Sequence, residues 1–220
     1  LHEEPAEPEL RDSTEARDAA PELANIQTAP ERWDPLEDLE GIEEPLSIYY
    51  GDIHGHTRMS DGVGDVDEYF YTRRDYYQDD FAALTDHDNF VRLPIFPSGW
   101  EYQKELMEYF NDPGNFVVLF SQECTTARYP TAFGHKNIYG LEKEMPLLDH
   151  TYEQYNTSDK INAAVKDIGA LIFPHHTGWI GTDWENADDE IQTLAEICSN
   201  HGVFEYPGNT FPGITHIGTV

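Results

Sequence analysis

Tyr49-Tyr50-Gly51-Asp52-Ile53-His54-Gly55-His56-Thr57, closed by the turn residues Ser60-Asp61-Gly62, is the stretch from which the rest of the chain can be read. Its apolar lead-in, Ser47 to Ile53, predicts a strand. Residues two apart on a strand point the same way, so His54 and His56 address one spot. Two imidazoles aimed at one point suggest a metal ion. A His-x-His by itself is a common motif. Its weight here comes from Asp86-His87-Asp88, Glu123, His135 and His175-His176, several of which close further strand-like runs.

Working outward, Asp65 is placed to cap a helix running to about Gln78, with Asp67 and Glu68 in its first turn. Phe81 to Thr85 forms a short apolar run that ends at Asp86-His87-Asp88. A second helix is expected from about Trp100 to Phe110, stopped by Asn111-Asp112-Pro113-Gly114. Phe116 to Phe120 reads as a strand buried on both faces that delivers Glu123 just beyond its end. Gly134 to Tyr139 is a further strand. Ser158 opens a helix whose Ile161, Ala164, Val165 and Ile168 share one face, and Gly169 ends it. Leu171 to Pro174 leads into His175-His176, and a last helix over about 187–193 precedes the apolar run Leu194 to Cys198.

This alternation predicts an α/β fold, a mostly parallel sheet or barrel with helices outside. Such folds build their sites where the loops after the strands meet. His54, His56, His87, Glu123 and His175 all fall at or just after the ends of separate apolar runs.

The 220 residues carry 43 acidic and 13 basic side chains, a formal charge of −30. That charge repels polyanions and argues against broad nucleic-acid binding, while a small anionic substrate stays compatible if metal ions reverse the sign locally. Residues 1–46 hold 15 acidic against 3 basic side chains and six prolines, and are read as an acidic, largely disordered extension, with Trp33, Leu36, Leu39 and Ile42 available to pin its end. Residues 47–220 then form the catalytic domain. The two cysteines, Cys124 and Cys198, are too few for a disulfide framework and are expected to be buried apolar residues, with mutual pairing left open. No apolar run is long enough to span a membrane. A chain that starts at Leu1 is expected to be a processed or excised product, which leans toward export to the periplasm.

Imidazoles mixed with carboxylates suit manganese, zinc or iron better than calcium or magnesium. Four or five histidines plus Asp and Glu exceed what one tetrahedral ion needs. The expectation is therefore two or three divalent transition metals sharing a bridging hydroxide and a bridging carboxylate, with Glu123 as the bridge. The chemistry expected of such a centre is hydrolysis, most naturally of a phosphoester. Of the adjacent pair, His175 is read as the ligand and His176 as a supporting residue or proton donor. Asp61 is read as a ligand or a turn former, and Asp52 as orienting an imidazole through its far nitrogen. Arg58, Arg128 and Lys136 are the cations nearest the ligands in sequence, and Trp179 and Trp184 are candidates to wall a pocket. His2, His150, His201 and His216 are read as structural or exposed, His201 least firmly.

Taken together, Gly51-Asp52-Ile53-His54-Gly55-His56-Thr57 with Ser60-Asp61-Gly62, Thr85-Asp86-His87-Asp88, Glu123, His135 and Pro174-His175-His176 resemble the PHP (polymerase and histidinol phosphatase) superfamily over about residues 47–205. The wording Gly134-His135-Lys136-Asn137 and Pro174-His175-His176-Thr177-Gly178 is most similar to its carbaryl-hydrolase-like branch. The resemblance implies a distorted seven-stranded β/α barrel and a two- or three-metal centre. It carries over His54, His56, His87, Glu123, His135 and His175 as metal ligands and Asp61 as a position used by some members. Members also place an Asp-x-His pair on a late strand. None follows Glu196 here, where only Thr215-His216 lies near the end at Val220, so a domain incomplete at its C-terminus is expected. Two alternatives stand beside the phosphoesterase: a carbamate or carboxylic ester hydrolase of the same fold, and a non-catalytic accessory domain stabilised by its metals. An amidohydrolase also opens on His-x-His, but the early Thr85-Asp86-His87-Asp88 favours the PHP pattern. The sequence leaves oligomeric state open.

Overall fold

In chain order the elements are β1 (Gly51–Asp52), α1 (Val66–Tyr71), a π-helical segment (Thr72–Tyr77), β2 (Phe81–Ala83), β3 (Asn89–Phe90), β4 (Leu93–Pro94), α2 (Pro97–Phe110), β5 (Val117–Thr125), β6 (His135–Gly140), α3 (Ser158–Asp167), β7 (Leu171–His175), β8 (Cys198–Ser199) and β9 (Gly202–Val203). The structure is a computed structural model and describes residues 47–90, 93–127, 130–199 and 201–204. Contacts divide the chain between Ile48 and Tyr49, and the elements all belong to the unit beginning at Tyr49. The acidic extension expected over residues 1–46, with its candidate anchors Trp33, Leu36, Leu39 and Ile42, lies outside the described residues, as do Arg128 and His216.

The principal sheet has five strands in the order β1-β2-β5-β6-β7, with β3-β4 and β8-β9 as separate two-stranded ribbons. Its first half is parallel, β1 on β2 and β2 on β5, as the alternating pattern predicts. The second half is not: β6 runs antiparallel to both β5 and β7. The cause lies in the connections. Only a short turn region separates β5 from β6, too little chain for a parallel crossover. The fold is thus mixed α/β, with three α-helices against a five-stranded sheet among the described residues.

The register explains why a reversed strand still serves the site. Thr125 pairs with His135, and His135 in turn with His175, so the start of β6 lies beside the ends of β5 and β7. Glu123 lies inside β5, not beyond its end as expected, and pairs with Asn137. Because side chains alternate, Leu119, Ser121 and Glu123 share one face with Tyr139, Asn137 and His135 and with Leu171, Phe173 and His175. The opposite face presents Val118, Phe120, Cys124, Ile138 and Ile172, all buried in the main core with Met107 and Phe110 of α2 and Ile161 and Val165 of α3. The face that carries the ligands is polar at one end. At the other, Ile53, Leu119, Tyr139, Leu171 and Phe173 line an apolar cavity of about 220 Å³.

Three helices depart from the sequence expectation. The Asp65 helix is α-helical only to Tyr71 and then widens into the π-helical segment, closed by Gln78 at φ 58°. Within that segment Arg73 reaches Asp52 at 2.5 Å and Asp79 at 2.9 Å, which ties the wide turn to the β1 edge. The second helix starts three residues early because Pro97 occupies its first turn, where a missing N–H costs nothing. The expected last helix over 187–193 is a run of turns, in which Asp188 accepts backbone hydrogen bonds from Ile191 and Gln192. The Ser47–Ile53 strand shrinks to Gly51–Asp52, and the Leu194–Cys198 run is not a strand until Cys198. The cysteines are unpaired, Cys124 buried and Cys198 exposed, against the expectation that both are buried. Among the described residues no helix is long and apolar enough to cross a membrane.

Gly134 joins β5 to β6 immediately before His135. It has φ +78°, and a Cβ there would sit 2.1 Å from the Gly181 carbonyl oxygen. Gly134→Ala therefore meets both left-handed strain and a backbone clash. It is expected to lower unfolding free energy in urea by about 2–4 kcal/mol.

Candidate metal centre

The loop that carries His54 and His56 is held by one buried carboxylate. Asp86 Oδ1 accepts hydrogen bonds from the Thr57 N–H (2.7 Å) and the Ser60 hydroxyl (2.6 Å), and Oδ2 from the Thr57 hydroxyl (2.6 Å) and Gln103 Nε2 (2.5 Å). It thereby fastens the first loop, the end of β2 and helix α2 at one point. His87 follows directly, while β5, β6 and β7 contribute Glu123, His135 and His175.

These side chains converge. His54 Nε2 and His56 Nε2 are 3.1 Å apart, as two residues on one side of an extended chain should be. Glu123 Oε2 lies 3.4 Å from His56 Nε2 and 3.4 Å from His87 Nδ1, and its Oε1 lies 2.8 Å from His135 Nδ1. Asp61, at the rim, places Oδ1 3.4 Å from His87 Nε2 and 3.8 Å from His56 Nδ1. Ligand atoms around one ion at bonds of about 2.0–2.1 Å are separated by about 3.0–3.4 Å.

Four triads close enough to hold an ion come together here: His54, Glu123 and His175; His56, His87 and Glu123; Glu123, His135 and His176; and His175, His176 and Glu196. Glu123 belongs to three of them, as expected of a bridge. A further triad, Asp88, Cys124 and His150, lies elsewhere and is internally satisfied: Asp88 accepts from the Thr125 N–H and from the His150 N–H and Nδ1.

The fit to a cation can be tested on the hydrogen bonds. Both Glu123 oxygens, His56 Nδ1, His135 Nδ1, His175 Nε2 and His176 Nδ1 are buried without a hydrogen-bond partner. The short His135–Glu123 approach lacks hydrogen-bond alignment, so it does not satisfy either atom. Meanwhile the outer nitrogens are occupied. His54 Nδ1 lies 2.7 Å from the Thr85 hydroxyl, His87 Nδ1 lies 2.5 Å from the Thr125 hydroxyl, and His175 Nδ1 lies 3.1 Å from Glu196 Oε1. This is the outer support that turns an imidazole's far nitrogen toward a metal.

Burial keeps four of the imidazoles neutral, as ligands must be. It is the main cause that lowers His54 to about 2, His87 to about 2, His135 to about 3 and His176 to about 4, and neighbouring histidines add to it at each, while Glu196 pulls the other way at His176. Burial also raises Glu123 to about 7, against the pull of His175 and His56. Glu196 goes the other way: burial opposes ionisation, but His175 and His176 hold its carboxyl well below the usual range.

His54, His56, Asp61, His87, His135, His175 and His176 line one cavity of about 440 Å³ with Trp179, Glu196, Ser199 and His201. His201 is therefore at the site, stacked on Trp179 at 3.9 Å, and is neither remote nor merely exposed. Asp52 does not touch an imidazole; it accepts from the His54 backbone N–H and pairs with Arg73. Lys136 faces the helices, fully buried, with Nζ 3.4 Å from Gln192 Oε1, because its neighbours His135 and Asn137 take the other face. Arg58 pairs with Asp65 at 2.8 Å and lines an adjoining cleft, and Trp184 is not among the residues lining the cavity. Sequence reasoning missed Thr85, Thr125 and Glu196. Thr125 lies two residues beyond Glu123 on the same strand face, a signal that was available.

No protein-family model matches the chain, and no curated protein matches its sequence. Among solved structures, a protein from Bifidobacterium adolescentis that carries the provisional name metal-dependent phosphoesterase is similar at a TM-score of 0.43, with 14% identity over 70% of this chain and 78% of that one. So weak a likeness bears no argument, and the functional reading rests on the side chains.

Two outcomes follow for the metal-free protein. The four depressed imidazoles stay neutral when folded, while their unfolded counterparts take up protons below about pH 6.5. Stability should therefore fall on acidification from that pH, offset only in part by Glu123, whose raised pKa favours the folded state as pH drops from about 7 to its unfolded value. Chemical denaturation at pH 7.5, 6.5 and 5.5 in chelator checks this. Glu123→Gln removes the buried charge, so at pH 8 the variant should melt above the wild type in chelator and below it in excess metal.

Proposed function

We propose that this protein is a metal-dependent hydrolase acting on phosphoesters. The observation that carries the reading is Glu123, a fully buried carboxylate without hydrogen-bond donors, surrounded by imidazoles from four separate segments. Such an arrangement is costly unless a cation completes it. His54, His56, His87, His135 and His175 would hold two or three manganese, zinc or iron ions, with Glu123 between them and Asp61 at the open rim. Bound there, divalent cations supply nucleophilic water at neutral pH and positive charge for the ester oxygens.

The chain's own residues define the rest. Asp86 and its four donors fix the first loop, and the Thr85 and Thr125 hydroxyls set the orientation of His54 and His87. His176 faces the cavity, neutral at pH 7, and is the group placed to exchange a proton with the substrate. The PHP-type motif order over residues 54–175 supports the same reading. In this proposal the unit from residue 47 onward is catalytic and the acidic residues 1–46 are an extension.

A second reading, carbamate or carboxylic ester hydrolysis, is favoured by one feature: among the described residues no Lys or Arg lines the cavity, where Trp179 provides an apolar wall instead. The resemblance to the carbaryl-hydrolase-like branch points the same way, although it rests on motif wording alone.

Metal analysis after purification under replete conditions should find at least one equivalent; less than about half an equivalent overturns the proposal. His56→Ala should lose metal affinity and turnover together, each by at least about 100-fold. A panel of phosphomonoesters, phosphodiesters and aryl carboxylic esters assayed with each metal separates the two substrate classes.

A further inference from the structure

We propose that Glu196 is a positioning residue that fixes the tautomer of His175 and acts on the metal centre only through that imidazole; the part concerning metal rests on the reading above. Glu196 lies on the irregular chain between β7 and β8, anchored by its backbone N–H on the Pro174 carbonyl at 3.2 Å. One of its oxygens, Oε2, accepts from the His176 N–H at 2.8 Å. The other, Oε1, lies 3.1 Å from His175 Nδ1. A single carboxylate thus receives two consecutive residues, one through its backbone and one through its ring. An ionised carboxylate can only accept, so His175 must carry its proton on Nδ1. Its Nε2 is then left as a lone pair, and that atom is the one buried without a partner, in the triad with His54 and Glu123.

Glu196 also forms a triad with His175 and His176 that could hold an ion itself, so a rival role as a direct ligand has to be separated. Glutamine does so. The His176 N–H is a backbone donor that cannot reverse, so the amide oxygen of Glu196→Gln turns toward it. The amide NH₂ then faces His175 Nδ1 and selects the tautomer protonated on Nε2. That proton occupies the position a cation needs. Alanine imposes nothing: water can accept from Nδ1, and either tautomer is available. The expected order of metal affinity is therefore wild type, then Glu196→Ala, then Glu196→Gln, with the last about 10–100-fold below the wild type. A direct ligand or a merely structural carboxylate predicts the reverse order of the two variants.

The test has two arms. Zinc or manganese affinity of the three proteins is measured by competition with a chromophoric chelator, after thermal melts show each to be folded. Independently, long-range ¹H–¹⁵N correlation on the metal-free full chain reads the His175 tautomer. Protonation on Nδ1 in the wild type, moving to Nε2 in Glu196→Gln, supports the proposal. A wild type protonated on Nε2, or Glu196→Ala binding more weakly than Glu196→Gln, overturns it. A wild type that binds no metal defeats the metal reading alone, and the tautomer measurement still decides the role of Glu196.

Discussion

The structure depends on a carboxylate that has no donor to share its charge with. Glu123 is wholly enclosed, and burial is the main cause that pushes it to about 7. Neutral imidazoles could in principle donate to it, but Thr85, Thr125 and Glu196 occupy the Nδ1 atoms of His54, His87 and His175. What remains around the Glu123 oxygens is a set of imidazole nitrogens, none of them aligned to donate to it. Burying polar atoms in that state costs free energy, which the surrounding fold must supply or a bound cation must offset. The site is thus a local conflict that the rest of the molecule holds in place, as strained or unsatisfied sites in folded proteins commonly are.

Holding it is the work of two scaffolds of different kinds. The sheet places Glu123, His135 and His175 with strand precision, because their pairing partners are fixed by backbone hydrogen bonds. The first loop has no such ladder beyond Asp52, and Asp86 substitutes for it with four side-chain and backbone bonds, one of them from α2. The chain's departures from regularity cluster around these scaffolds. Gly134 admits the close approach to Gly181 just ahead of His135, and the π-helical segment brings Arg73 onto Asp52 beside the His-x-His.

Much of this was legible in the sequence, and the reasons for the failures are physical. The ligand types and their placement near strand ends followed from apolar runs and the two-residue period, which are local signals. The hand of β6 was not local: an antiparallel β6 and a parallel one share the same apolar pattern, and only the brevity of the 126–134 connection distinguishes them. Arg73, Lys136 and Asp52 were misjudged or overlooked because nearness in sequence was taken for nearness in space. Lys136 adjoins His135 and for that very reason points away from it. Glu196 was invisible because its role depends on a contact with His175 twenty-one positions back, across a stretch without regular structure. The expected helix over 187–193 failed where turn-forming Asp188 could offer backbone partners without one.

The alternation of faces along β5, β6 and β7 has a consequence for how this gene can vary. A single-codon insertion or deletion within any of the three strands shifts the following residues by one, and on a two-residue period that exchanges the faces. In β6, Lys136 and Ile138 would turn to the cavity, and His135 and Asn137 to the helices. Such a change loses the ligands and the core together, so no compensating substitution at one position restores either. The stretch between β6 and α3, residues 141–157, lines none of that cavity and has no strand period; it is held instead by Met145 and Leu148 in the core and by His150 on Asp88. Length variation among natural relatives should therefore be absent from the three strands, whatever substrate those relatives act on.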